Sequence, residues 1–133
     1  MRDVDLSLVI PLYNEEVNVE RVTGELAHVL ATNDVNYEIV LVNNGSCDNT
    51  GKEIDRLVRS YGNRVIKTTI LINQGFGWGV IKGLKLCHGT FVGFLCGDGQ
   101  VAPKDVPKIY AAARMSPGHF AKGCRVTRKD GFA

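Results

Sequence analysis

Runs of β-branched and other apolar residues alternate along this chain with segments that have helical spacing. The runs occupy residues 6–10, 37–42, 64–72 and 90–96, and a last, weaker strand is predicted over residues 119–126. Parallel strands need a crossover connection, usually a helix, so strands that alternate with helices indicate βαβ units. The pattern therefore predicts an α/β fold with a mostly parallel sheet and helices on both faces.

The segments between the strands carry apolar residues at intervals of three and four, which places those residues on one face of a helix. Three stripes of this kind are Val19, Val22, Leu26 and Val29, then Ile54, Leu57, Val58 and Tyr61, then Val80, Ile81, Leu84 and Cys87. Pro103 is a suitable first residue of a fourth helix. We expect each stripe to pack against the sheet.

Composition limits the possible functions. The chain has 133 residues, of which 44% are hydrophobic, and this is enough for the core of one domain. Its 16 Lys+Arg residues nearly balance its 14 Asp+Glu residues, so we expect no nucleic-acid partner. Acidic residues near the start argue against a signal peptide, and no apolar stretch is long enough to span a bilayer. The four cysteines form no CxxC pair, so we expect reduced thiols and a cytoplasmic location.

Ligands of such sheets bind beyond the carboxyl ends of the strands, so the segments after the apolar runs are candidate sites. The first of these segments is PLYNEE, in which Pro11 turns the chain. Tyr13 offers an aromatic ring on which a base can stack, and Glu15 can accept hydrogen bonds from ribose. The alternative interpretation is a helix start, with Asn14 as its N-cap.

The second and third runs are followed by turn sequences. The first of these, NNGSCDNT, contains Asn44, whose amide can bind the edge of a base. The second, NQGFGWG at residues 73–79, has glycines at alternate positions, which allow a ligand to approach the backbone. It does not match the dinucleotide pattern GxGxxG, because Val80 stands where the last glycine is needed. Each sequence is also typical of a plain turn.

Two charged residues near later turns are suited to a diphosphate and its cation. Asp98 follows the fourth run in the sequence Cys96-Gly97-Asp98, and a carboxylate there can bind Mg²⁺ or Mn²⁺. Arg125 lies in a basic cluster and can hold a diphosphate with two hydrogen bonds. The alternatives are a structural aspartate in a turn and a solvated charged surface.

The order of these segments resembles the inverting family 2 glycosyltransferases, and within them the dolichol-phosphate mannose synthase-like branch. The family pattern is PxYNEE, an acidic pair before GSxDxT, NxGxGxAxxxGL, an Asp-x-Asp segment and Gly-x-Arg. The matching segments here are PLYNEE, NNGSCDNT, NQGFGWGVIKGL, CGD and GCR, in that order. The resemblance implies a glycosyltransferase A fold, which is Rossmann-like. Because family members are longer, it implies that residues 1–133 are the nucleotide-sugar-binding (donor) part of a truncated domain, without the acceptor part and the general base.

The resemblance also assigns donor-binding roles. The matching positions are Pro11, Tyr13, Glu15, Val42, Asn44, Cys96, Gly97, Asp98 and Arg125. The first five would surround the nucleoside, with the backbone of Val42 and the side chain of Asn44 facing it. Asp98 would bind the divalent cation, and Arg125 would hold the diphosphate. The resemblance identifies no catalytic base in this chain.

Two substitutions depart from the family pattern. Asn43 and Asn44 replace the acidic pair, and a neutral carbonyl binds a base N–H more weakly than a carboxylate does. Cys96 replaces the first Asp of Asp-x-Asp, and a thiol is a poor ligand for Mg²⁺. We therefore expect Asp98 to hold the cation together with water and phosphate.

The resemblance implies transfer of a sugar from a GDP- or UDP-sugar, with inversion at the anomeric carbon. The implied acceptor is a polyprenyl phosphate or another membrane-linked group, at the cytoplasmic face of a membrane. An alternative is a non-catalytic nucleotide-sugar-binding fragment or pseudoenzyme, which the altered Asp-x-Asp segment favours. A third interpretation, a flavodoxin-like phosphate-switch domain, predicts an acidic pocket after the first strand, where this chain has PLYNEE.

Overall fold

The backbone alternates between strands and helices over residues 3–116 and 118–122, the part of the chain that the computed structural model describes. The strands are β1 (Leu6–Leu12), β2 (Tyr37–Asn44), β3 (Val65–Ile70) and β4 (Phe91–Phe94). The helices are α1 (Val19–Thr32), α2 (Thr50–Tyr61), α3 (Phe76–Leu84) and α4 (Val106–Met115). Short 3-10 helices, Gly62–Arg64 and Pro103–Asp105, precede β3 and α4. Both β3 and β4 are shorter than the predicted runs.

The four strands form one parallel sheet in the order β3-β2-β1-β4. In its register Leu6 of β1 lies opposite Tyr37 of β2 and Phe91 of β4. All seven residues of β1 are buried, because the strand has a partner on each side and helices on both faces. The prediction of a parallel α/β sheet covered on both faces is confirmed.

Helices α1, α2 and α4 cover one face of the sheet and form the larger core. Leu26 of α1, Ile54 of α2 and Val106 of α4 pack in the same cluster as Ile10 and Leu41 of the sheet. The first two stripes predicted from helical spacing lie on this face, where α1 and α2 bury their apolar residues. Burial of such residues at about 25 cal/mol per Å² is the main force that holds these layers together.

Helix α3 covers the other face, and the prediction for its stripe is confirmed for Val80 but wrong for Ile81 and Leu84. Its buried residues are Gly79, Val80 and Gly83. Ile81 and Leu84, which the stripe placed against the sheet, are 49% and 38% exposed. The reason is that glycines have no side chain, so the helix approaches the strands on its glycine side and turns its larger residues outward.

A Gly83→Ala substitution tests this close approach. A Cβ atom at Gly83 would overlap Cγ1 of Val9 and lie 3.0 Å from Cγ2 of Val42, both on buried strands. We expect the unfolding free energy to fall by about 1–3 kcal/mol, the usual cost of overpacking a core. Urea denaturation measures the change. Gly77→Ala in the same helix is the control, since its Cβ would meet nothing within 4 Å and alanine favours helices. Equal midpoints for the two variants would contradict the packing.

The end of the described chain departs from the sequence prediction. Residues 119–122 of the predicted fifth strand are not in a strand, and the rest of that strand, including Arg125, lies outside the described residues. The described cysteines, Cys47, Cys87 and Cys96, are free thiols. Among the described residues, no helix has the length and hydrophobicity to cross a membrane.

A buried carboxylate joins the amino ends of the strands. Glu38 of β2 has no exposed surface, and its Oε2 accepts hydrogen bonds from the Ser7 hydroxyl and the His88 N–H, both at 2.6 Å. His88 Nδ1 lies 3.1 Å from Oε1 of the same carboxylate, and Gly89 N–H donates to the Ser7 hydroxyl at 2.8 Å. These bonds attach the segment before β4 to β1 and β2. Burial would raise the pKa of Glu38, but the hydrogen bonds from Ser7 and His88 lower it below its ordinary value of 4.5.

Glu38→Gln should reduce the dependence of stability on pH. A carboxyl with a lowered pKa in the folded state adds stability above its unfolded pKa and loses it as pH falls through the folded value. The unfolding free energy of the wild type should therefore fall below about pH 4.5, and that fall should be smaller in the variant. Chemical denaturation at pH values from about 3 to about 7, roughly the range over which carboxyl groups titrate, measures this pH dependence. Glu20→Gln on the exposed surface is the control. Identical slopes for Glu38→Gln and the wild type would contradict the role of Glu38.

Candidate functional site

The carboxyl ends of three neighbouring strands meet at one edge of the sheet. Pro11 near the end of β1 lies opposite Val42 of β2. On the other side of β1, the Leu95 N–H that follows β4 donates to the Val9 carbonyl at 3.1 Å. The segments that leave these strands are therefore neighbours, as expected for a ligand site in an open α/β sheet. The described donor-binding positions predicted from the sequence all lie at this edge, and Arg125 lies outside the described residues.

Pro11 lies in a central strand at the point where pairing with β4 ends. The Val9 carbonyl faces β4, and residues two apart in a strand direct their backbone groups to the same side. Pro11 therefore also faces that side, but β4 ends at Phe94, which lies opposite Val9. Proline has no N–H to donate on this side, so pairing between β1 and the β4 segment ends with the Leu95–Val9 bond.

Hydrogen bonds between the loop after β1 and the turn after β2 fix the shape of this edge. Three successive backbone N–H groups donate to side chains of the turn. The pairs are Asn14 to the Ser46 hydroxyl (3.0 Å), Glu15 to the Thr50 hydroxyl (2.9 Å) and Glu16 to the Asp48 carboxylate (3.4 Å). These pairs lie 32 to 35 residues apart in sequence. The polar residues of GSCDNT thus hold the PLYNEE loop, a role that the sequence analysis missed.

Asn14 is not the helix cap that the alternative interpretation required. Helix α1 begins at Val19, and its N-cap residue is Asn18. Asn14 instead has a positive φ of 54°, a conformation that asparagine adopts more readily than most residues. Its Oδ1 accepts a hydrogen bond from Cys47 N–H at 2.8 Å, which adds a bond in the opposite direction between the two segments.

Asp48 and Thr50 form the centre of this hydrogen-bonded unit. The Asp48 carboxylate accepts bonds from the Thr50 hydroxyl and from Thr50 N–H, the latter at 2.9 Å. Desolvation would raise the pKa of Asp48, but these bonds and the one from Glu16 N–H lower it below its ordinary value of 3.8. Asp48 is therefore ionised at neutral pH and acts as a structural acceptor.

Thr50→Val removes the hydroxyl and keeps the shape of the side chain. The variant leaves Glu15 N–H and one Asp48 lone pair without their partner, and Thr50 is fully buried. We expect the unfolding free energy to fall by about 1–3 kcal/mol, the cost of an unsatisfied buried group. Thr69→Val, at an exposed position of β3, should change it by less than about 0.5 kcal/mol. Thermal unfolding of the two variants compares them directly, and equal losses would show that the Thr50 hydroxyl has no such role.

Tyr13 and Glu15 lie beyond the edge, where a ligand can reach them. Tyr13 is 48% exposed, so a face of its ring is accessible for stacking. Glu15 is half-buried, and its Oε2 accepts a hydrogen bond from the Asn18 amide at 2.9 Å. This bond orients the Glu15 carboxylate while leaving lone pairs available to other donors.

Asn44 lies deeper in the edge than its neighbour Asn43. Asn44 is 3% exposed, and its Nδ2 donates a hydrogen bond to the Gly75 carbonyl at 3.0 Å. Its Oδ1 is buried and accepts no hydrogen bond from any described residue. Asn43 differs, because its Oδ1 accepts from Ser46 N–H at 3.2 Å within the turn. The Oδ1 of Asn44 is thus a buried acceptor without a donor, on the α3 side of the sheet.

The segment after β4 places one carboxylate at the edge. Gly97 is buried against Leu12, where a Cβ atom would overlap Cδ2 of that leucine. Asp98 is exposed, and its Oδ1 accepts Gln100 N–H at 3.0 Å. Burial raises the pKa of the Cys96 thiol, and the charges of Asp98 and Glu15 raise it further. The thiol therefore stays protonated at neutral pH, so the cysteine is no ligand for a hard cation.

This residue set fits a cation that is held jointly with a ligand. The described residues contain no group of three or more His, Cys, Asp or Glu side chains that could hold a metal ion by themselves. Magnesium, however, is often bound by one or two carboxylates together with waters and substrate phosphates. Asp98 at the exposed edge suits that mode, in which the diphosphate supplies further oxygen ligands.

The comparison with known families identifies the class. Residues 7–133 match the family model described as Glycosyl transferase family 2. The chain belongs to this family, as the sequence resemblance predicted. Its fold is the glycosyltransferase A fold of the solved structures that it resembles. Family membership favours the transferase interpretation over a non-catalytic binding module.

Individual relatives are considerably longer than this chain. It is 28% identical over 132 residues to dodecaprenyl-phosphate galacturonate synthase of Rhizobium johnstonii, covering 99% of this chain and 39% of that protein. It is 32% identical over 109 residues to dolichol-phosphate mannosyltransferase of Pyrococcus furiosus, covering 82% and 30%. The chain thus spans about a third of the length of the curated relatives it matches.

A solved structure shows the same fold with ligands. The mannosyltransferase PcManGT of Pyrobaculum calidifontis, in complex with GDP-Man and Mn²⁺, superposes with a TM-score of 0.72 at 17% identity. The match covers 88% of this chain and 34% of that one. At this identity the likeness establishes the fold, and the ligands named are those of the mannosyltransferase.

Proposed function

We propose that residues 1–133 are the donor-binding part of an inverting glycosyltransferase that uses a GDP- or UDP-sugar. The observation that carries the proposal is the presence, at one edge of the sheet, of an exposed aromatic residue, an unpaired amide oxygen and an exposed carboxylate. These belong to Tyr13, Asn44 and Asp98. A nucleoside diphosphate presents three matching parts, namely a flat base, a donor on the edge of that base, and a charged diphosphate.

The nucleoside would bind on the side of β1 and β2. Stacking of a base on an aromatic ring contributes about 1–3 kcal/mol, and Tyr13 has the accessible face for it. The Glu15 carboxylate, oriented by Asn18, would accept hydrogen bonds from ribose hydroxyls. Pro11 and the Val42 backbone would form the floor, and Asn44 Oδ1 would accept a base N–H.

The diphosphate would bind on the side of β4. Asp98 would hold Mg²⁺ or Mn²⁺, with Cys96 and Gly97 shaping the approach to it and Arg125 supplying a positive charge for the diphosphate. A bound cation neutralises the charge that develops on a departing diphosphate. Because Cys96 carries no charge, this site is less negative than one with two carboxylates, and the cation would rely more on phosphate oxygens.

The reaction would be an in-line displacement at the anomeric carbon. The acceptor oxygen forms the new bond while the bond to the diphosphate breaks, and the electron pair leaves with the diphosphate. We propose a polyprenyl phosphate or related membrane-linked acceptor, at the cytoplasmic face of a membrane. The similarity to a dodecaprenyl-phosphate galacturonate synthase and a dolichol-phosphate mannosyltransferase supports this. A phosphate acceptor is also chemically suitable, because with a second pKa near 6 it is already an anionic nucleophile at neutral pH.

Asp98→Asn tests the cation and the donor together. Calorimetry with UDP, GDP and their sugars should show binding by the wild-type chain that Mn²⁺ strengthens about tenfold or more, equivalent to ~1.4 kcal/mol. The variant should keep its fold and its weak metal-independent binding but lose the Mn²⁺ effect, because an amide is a weaker cation ligand than a carboxylate. Asp55→Asn, which removes a surface partner of Lys67, should behave as wild type.

Two outcomes would contradict the proposal. Unchanged affinity of Asp98→Asn in the presence of Mn²⁺ would show that the cation is held elsewhere. Absence of binding for every nucleotide and metal concentration would overturn the donor-binding role of this edge.

A further inference from the structure

We infer that the hydrogen bond from Asn44 to Gly75 closes the start of α3 over the base-binding edge, and that a bound nucleotide breaks it. The inference rests on the proposed nucleotide-binding function and adds a conformational step to it. In the closed arrangement Asn44 is 3% exposed and its Nδ2 donates to the Gly75 carbonyl at 3.0 Å. A base cannot reach this side chain unless part of its cover moves, and the Gly75 carbonyl belongs to that cover.

The closed arrangement satisfies only half of the Asn44 amide. Its donor is used, but its Oδ1 is buried and accepts no hydrogen bond from the described residues. A buried polar atom without a partner disfavours the state that contains it. A ligand N–H that reached Oδ1 would remove this cost, so the ligand favours the arrangement in which Asn44 is accessible. This is the differential interaction that a ligand-driven change requires.

The attachments of α3 to the sheet show which part can move. Gly83 is in tight contact with Val9 and Val42 in the sheet, so the second half of the helix is fixed. Gly79 marks the limit of this contact, since its Cβ would lie 3.0 Å from Pro11 Cβ and 3.3 Å from Asn44 Nδ2. Before it, residues 75–78 are all exposed. Two contacts therefore hold this first turn: the Asn44 bond to the base-binding edge, and the Phe76 ring against Phe94 of β4, with ring centroids 5.9 Å apart.

Gly75 supplies the backbone freedom that the movement needs. Its φ of 99° and ψ of 164° lie in a region that is essentially restricted to glycine, and a Cβ there would meet nothing within 4 Å. Its carbonyl also accepts the Gly79 N–H at 3.3 Å. Rotation of this one residue therefore changes both the bond to Asn44 and the first bond of α3. The exchange rate of the Gly79 amide proton and the fluorescence of Trp78 therefore report on this movement.

Asn44→Asp separates this hydrogen bond from the shape of the side chain. The variant is nearly isosteric but replaces the donor with an oxygen, which cannot donate to the Gly75 carbonyl. In the nucleotide-free chain we expect the Gly79 amide proton to exchange about fivefold faster than in the wild type, as measured by NMR. Asn43→Asp is the matched control. The Asn43 Oδ1 accepts a hydrogen bond within its own turn, and among the described residues Asn43 has no hydrogen bond to residues 75–78. Gly75→Ala, which disfavours the observed φ, should also speed the exchange and provides a second variant should the first fail to fold.

The nucleotide experiment uses the only tryptophan of the chain, Trp78, as the probe. Its ring lies 5.0 Å from the Lys82 ammonium and directly after the first residues of α3. Titration of the wild type with UDP or GDP and Mn²⁺, followed by calorimetry and by Trp78 emission in parallel, should give an emission change that saturates with the binding heat. The emission of Asn44→Asp should start nearer the bound value and change less.

The possible results distinguish failure of the conformational step from failure of nucleotide binding. Nucleotide binding by calorimetry with unchanged Trp78 emission and unchanged Gly79 exchange would overturn the inference and leave the proposed function intact. If the Gly79 amide proton exchanged at the wild-type rate in both Asn44→Asp and Gly75→Ala, the inference would also be overturned, whether or not a nucleotide binds. Absence of binding heat for both nucleotides would overturn the proposed function, and the nucleotide-driven opening with it, even if the variants showed that the hydrogen bond exists.

Discussion

The central position of β1 is the constraint on which the rest of this structure depends. Because β1 pairs with β2 on one side and β4 on the other, all in parallel, the chain leaves three adjacent strands at the same edge. The described residues of the site lie in these strands or within a few residues of their ends. The hydrogen bonds from residues 14–16 to the GSCDNT turn hold the loop after β1 against the turn after β2. At the opposite edge, the hydrogen bond from His88 N–H to the Glu38 carboxylate holds the segment before β4 in place.

The site that results carries less negative charge than its family pattern implies. Asn44 provides a neutral acceptor, and the Cys96 thiol stays protonated because burial and the neighbouring carboxylates of Asp98 and Glu15 raise its pKa. A neutral acceptor forms a weaker hydrogen bond than a carboxylate but costs less to bury. This allows Asn44 to lie under α3 in the absence of ligand, where an ionised side chain would be disfavoured.

Local sequence patterns were sufficient for the fold. The alternating runs predicted the parallel sheet, and the order of the strands placed Tyr13, Asn44 and Asp98 at the same edge of it; their role as a site stays a prediction. The patterns failed where contacts depend on distant residues. Spacing alone placed Ile81 and Leu84 of α3 inward, because it cannot show that Gly83 packs on Val9. Nor can it show that Thr50 binds Glu15, since the two belong to different turns 35 residues apart.

The most direct test of the donor-binding edge is an NMR titration of the isotope-labelled chain with UDP and GDP, first with Mg²⁺ and then with paramagnetic Mn²⁺. We expect shifts confined to residues near Pro11, Tyr13, Asn44 and Gly75, with the strongest Mn²⁺ broadening at Gly97 and Asp98. Shifts centred instead on the amino ends of the strands, around Glu38 and His88, or no shifts at all, would contradict this expectation.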